Sequence, residues 1–113
     1  MTHEEYALSL YLQAPQAPLR EWQIVFYFYA VVHAVNHALY GGVEVAWSHD
    51  HTKRELEMDS HKTLRALLFK YRALRRDSEI ARYKPWLHPM SNNKLSYASA
   101  ASKELLAACG LVV

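Results

Sequence analysis

Cysteine is nearly absent from this 113-residue chain, and a single residue, Cys109, cannot close an internal disulfide. That excludes a disulfide-stapled scaffold and fits a reducing compartment. Glycine and proline are also scarce, at three and four residues, so the chain has few breakers to separate short strands. β-Alternation is confined to Val43-Glu44-Val45-Ala46-Trp47, too short and isolated to build a sheet. The N-terminus, MTHEEYALSLYLQ, has neither a basic n-region nor an unbroken apolar core, so it does not read as a secretory signal. No P-loop, nucleophile elbow, glycine-rich phosphate turn or paired-cysteine ligand set is present. Nucleotide hydrolases, serine hydrolases and zinc ribbons are thereby set aside. The expectation is a cytoplasmic protein with no cofactor.

What the chain does have is an uncharged run from Trp22 to Tyr40, bounded by Glu21 and Glu44 and closed by Gly41-Gly42. Nothing in it breaks a helix, and the glycine pair marks a helix end. Apolar side chains cover nearly its whole circumference, which predicts a core helix buried on most sides. Its length approaches a membrane span, but Gln23, His33, Asn36 and His37 interrupt it, and polar groups in hydrocarbon are expensive. No membrane span is expected.

The flanking segments read as further helices. Thr2 and Glu5 have capping-box spacing for a helix to about Gln13, which APQAP then stops. Asp50 can cap a short helix to about Met58, and a third main helix is predicted from His61 to about Tyr83. Its apolar stripe is Leu64, Leu67, Leu68, Tyr71, Leu74, Ser78 and Ala81. A last helix is predicted from about Leu95 to Cys109. The whole chain, 1–113, reads as one all-α domain. Its expected form is an up-and-down four-helix bundle, with four main helices and a short one in the loop after the second.

Charge is unevenly placed. Lys62 to Lys84 holds eight Lys or Arg against two acids, whereas Glu44 to His61 holds five acids against Lys53 and Arg54. The basic residues Lys62, Arg65, Lys70, Arg72 and Arg76 are candidates for contact with an RNA backbone. The histidines offer a second chemistry. His33 and His37 lie one turn apart on the core helix, and with His49 from the following loop they make a candidate metal set. A third possibility rests on Arg54 and His61. An Arg forks onto phosphate, and a His moves a proton to or from a ribose hydroxyl, a minimal kit for RNA cleavage without metal.

Several motifs occur in a recognisable order: Trp22, FYAVVH (Phe28 to His33), HTKR (His51 to Arg54), Tyr71 and Leu74, then SEIARY (Ser78 to Tyr83). This order resembles a stand-alone subgroup of the HEPN domains, small helical bundles of prokaryotic defence and toxin systems, over Trp22 to Tyr83. The resemblance implies a four- or five-helix bundle that often dimerises around a cleft. His33, His51, Tyr71 and Ser78 are the expected supporting residues there. In nuclease members the signature is Arg, four to six residues, then His, which Arg54 and His61 match at the longest spacing. Here Glu55 follows the Arg, and Glu57 and Asp59 add two more carboxylates that oppose RNA. Many HEPN-like proteins have lost the nuclease pair and serve as binding or assembly modules. The expected function is such a module, a homodimer with possible RNA or protein partners. Its contact surface is aromatic (Tyr6, Tyr11, Trp47, Trp86), and Arg54 and His51 pin the loop onto the bundle. The alternatives are a metal-independent HEPN endoribonuclease using Arg54 and His61, and a His-based metal-binding bundle.

Overall fold

The uncharged run becomes the central helix of the chain, Arg20–Tyr40. In the computed structural model, which describes residues 2–41, 51–86 and 89–113, the order is α1 His3–Gln13, α2 Arg20–Tyr40, α3 His51–Asp59, α4 Leu68–Tyr83 and α5 Asn92–Ala108. The described residues are helical with no strand. The Val43–Trp47 alternation and the Asp50 cap lie outside the described residues.

Several helix ends have a local cause. Thr2 Oγ1 accepts from the Glu5 amide at 3.2 Å and Glu5 Oε1 accepts from the Thr2 amide at 3.2 Å, so the capping box of α1 forms in both directions. Pro15 ends α1 in one 3₁₀ turn, Ala14–Gln16, and the Gln23 side chain donates to Ala17 O at 3.0 Å, tying that turn to α2. At the other end of α2, Gly41 takes φ 84°, a conformation that costs a residue with a Cβ. Ser91 caps α5 by accepting from the Lys94 amide at 3.1 Å. The end of α5 is a Schellman turn: Leu111 N–H bonds Leu106 O, Gly110 N–H bonds Ala107 O, and Leu111 folds back into the core.

α2 touches every other helix. Ile24, Phe28, Val31 and Val32 are fully buried along it, and each such side chain is worth about 1.5–3 kcal/mol on leaving water. α4 meets it through Leu68, Tyr71, Leu74, Ser78 and Ala81, the stripe expected from the sequence. α5 offers Ala98, Ala101 and Ser102, small residues that let two helices approach closely, with Leu105 and Leu106 filling the core beyond them. No helix among the described residues is long and apolar enough to cross a membrane.

Two boundaries differ from expectation. The third main helix does not begin at His61: residues 60–64 are turns, Arg65–Leu67 is a 3₁₀ turn, and α4 starts at Leu68. The cause is His61 itself, whose Nδ1 accepts from the Thr63 and Leu64 amides at 3.2 and 3.3 Å and curls the chain locally. α5 begins three residues earlier than expected, because the Ser91 cap outweighs the loop preference of Asn92 and Asn93.

Candidate functional site

α3 carries His51 and Arg54 three residues apart, so both face the same way, onto α2 and α4. Arg54 is 2% exposed. Its Nε donates to Asn36 Oδ1 at 2.9 Å, and its Nη1 donates to the Tyr71 hydroxyl at 3.1 Å and to His51 Nδ1 at 3.0 Å. Because an arginine only donates, His51 accepts at Nδ1 and carries its proton on Nε2. The Tyr71 hydroxyl lies 3.3 Å from the same nitrogen. Phe28 closes one side, with ring centroids 5.7 Å from both His51 and Tyr71.

The electrostatics follow from this burial. Burial, then the neighbouring Arg54 and Arg75 cations, lower the His51 pKa and keep the ring neutral. Burial raises the Tyr71 pKa and holds its proton in place. A buried guanidinium is costly unless its donors find acceptors, and Asn36, Tyr71 and His51 provide them from three helices. The arrangement therefore clamps α3 against α2 and α4.

A second polar cluster joins α1 to α2. His3 Nδ1 and His33 Nδ1 are 2.9 Å apart, and Tyr6 stacks on His33 with centroids 4.9 Å apart. Burial, then His3 and Arg54, push His33 down to about 4. One turn on, His37 Nδ1 is buried with no hydrogen-bond partner among the described residues. Of the expected metal set, His49 lies outside the described residues and His33 Nδ1 is taken by His3. Among the described residues no group of three or more His, Cys, Asp or Glu is arranged to hold a metal ion. Cys109 is buried, and burial pushes its thiol up to about 12, which disfavours the thiolate.

His61 has its Nδ1 occupied by the two backbone amides, so its ring proton sits on Nε2 and only that nitrogen is left to act. Ser78 Oγ is fully buried and has no partner among the described residues.

The basic residues are largely matched by acids. Glu55 accepts from Arg72 Nε at 2.7 Å and from Arg75 Nη1 at 2.6 Å, and Arg75 Nε reaches Glu79 at 3.2 Å. Lys70 pairs with Glu104, and Arg76 lies 3.7 Å from Asp77. Lys62 and Arg65 are exposed. Glu55, expected to repel phosphate, instead joins α3 to α4. Asn36, His3 and Arg75 were not anticipated; Arg75 sat in the basic run, whereas nothing local marks the other two.

Compared with known proteins, the chain matches no family model, no curated protein and no solved structure.

Proposed function

We propose that the chain is a HEPN-like helical module of the prokaryotic defence or toxin kind that works as a dimeric binding and assembly protein. In that reading α1, α2, α4 and α5 are the four members of an up-and-down bundle and α3 is the short insertion. The observation that carries it is the burial of Arg54. Its guanidinium is held by Asn36, His51 and Tyr71 inside the bundle, and a phosphate contact would have to displace them. The pairing of Lys70, Arg72 and Arg76 with acids supports the same reading, since a nuclease would offer those charges to its substrate.

The test is incubation of purified protein with bulk tRNA and single-stranded RNA in excess EDTA, beside His61→Ala and Arg54→Ala, with the molar mass measured by light scattering. The expected result is a dimer that leaves RNA intact. Cleavage by the wild type that His61→Ala abolishes, in a variant that still folds, would replace this reading with the metal-independent endoribonuclease.

A further inference from the structure

We propose that this module pairs with a second copy of itself through the aromatic groove between the start of α2 and the end of α4. The inference rests on the dimeric reading above and names the surface that the dimer uses.

The groove is walled by Leu19 and Trp22 from the α2 side and by Pro85 and Trp86 from the α4 side. Trp86 is 74% exposed, Leu19 55% and Trp22 50%. Isolated exposed apolar residues are ordinary, but two tryptophans and a leucine around one depression are not. A second depression, lined by Ala17, Pro18 and Phe26, lies on the other side of Trp22 and makes that indole a ridge between two hollows. Of the aromatic residues expected to form a contact surface, Trp86 belongs here. Trp47 lies outside the described residues, Tyr6 is stacked on His33, and Tyr11 packs edge-on against Tyr27.

Two members of the surface are held in place. Trp22 stands on the core helix. Arg82, in the opposite wall, donates to the Tyr29 hydroxyl at 2.5 Å and lies over the rings of Tyr29 and Tyr83, 5.3 and 5.0 Å from their centroids. Ordering Trp22 and Arg82 on binding therefore costs little, which favours affinity. Tryptophan and arginine are also the residues that dominate binding energy at protein interfaces.

Charge selects the occupant. The groove carries one acid, Glu21, and one base, Arg82, on opposite walls of an apolar floor. RNA would meet Glu21, and a uniformly acidic or basic peptide would meet one like charge. A second copy turned by a two-fold axis sets each Glu21 toward the partner's Arg82 and slides each Trp86 against the ridge of Trp22. The patch is thus its own complement, as an isologous interface requires.

The experiment is sedimentation velocity over a wide concentration range on the wild type, Trp86→Glu, Glu21→Arg, Arg82→Glu and the double variant Glu21→Arg/Arg82→Glu. Circular dichroism and melting confirm that each is folded. The wild type should sediment at twice the 13.1 kDa chain mass. Trp86→Glu should weaken dimerisation at least about tenfold, since one well-placed interface anchor is worth that much. Each single charge reversal should weaken it, and the double variant should recover it. A dimer indifferent to Trp86→Glu overturns this surface and leaves the dimeric reading standing. Dissociation by Trp86→Glu without recovery in the double variant overturns the two-fold pairing. A wild type that stays monomeric at every concentration overturns both readings.

Discussion

Arg54 on α3 reaches Asn36 on α2, its Nε donating to Asn36 Oδ1 at 2.9 Å in a part of the core closed to water. Replacing Arg54 by Ala leaves Asn36 and Tyr71 without that donor and opens a cavity. The expected loss is about 3 kcal/mol in urea denaturation, within the range for breaking a buried polar network. Arg54→Lys should recover only part of it, because one ammonium cannot reproduce the diverging Nε and Nη1 bonds. An Arg54→Ala protein as stable as the wild type would show that the guanidinium does not hold α3 in place.

The His3–His33 contact predicts acid sensitivity. The folded pKa of His33, about 4, lies below its ordinary 6.5, so the unfolded chain binds more protons between those values. Stability is then fully present above about pH 6.5 and falls as the pH drops toward 4. His3, lowered first by burial and then by Arg54 and His37, adds to the same slope. Among the described residues, Tyr6 from α1, His37 from α2 and Arg54 from α3 lie near the pair, and none of these three carries a negative charge. Urea midpoints at about pH 7 and about pH 4.5 should differ for the wild type and differ less for His33→Gln. Equal slopes in both proteins would remove His33 as the cause.

Glu55 is the acid whose removal tells most about RNA. It is buried between Arg72 and Arg75, both partly exposed, so Glu55→Gln should cost only about 1 kcal/mol. It should also release Arg72, while Arg75 keeps its bond to Glu79. Anisotropy with single-stranded RNA should show tighter binding by the variant and a steeper loss of affinity with salt, since more phosphates are neutralised. A variant that binds no better than the wild type would mean that Glu55 does not restrain the basic face.

These relationships also show how far the sequence could be read. α2 was legible because its uncharged run is closed by Gly41 and its polar residues argue against a membrane span, and α1 because Thr2 and Glu5 cap each other. The start of α4 was not, since Leu64, Leu67 and Leu68 keep the same apolar rhythm in a turn as in a helix. His51 and Arg54 could be paired from their spacing within α3. Asn36 could not be named as an acceptor, because it comes from a helix whose docking no local pattern encodes, whereas Tyr71 was expected near them only through the resemblance. His3 and His33 meet across 30 residues for the same reason. Glu55 read as a repulsive neighbour of Arg54, because its partners Arg72 and Arg75 lie 17 and 20 residues away.

Ser78 separates a packing role from a working one. Its hydroxyl is fully buried on the face of α4 that meets α2, and no partner satisfies it among the described residues. An unsatisfied buried hydroxyl costs free energy, and alanine is the better helix former. Ser78→Ala should therefore raise stability by about 0.5–1 kcal/mol, read from the urea midpoint. If Ser78 only fills the core, the variant also keeps the dimer mass of the wild type. A variant that is more stable but no longer dimerises would instead give this hydroxyl a part in assembly that its burial in the monomer does not explain. A loss of more than about 1 kcal/mol would mean that the hydroxyl already has a partner in the folded chain.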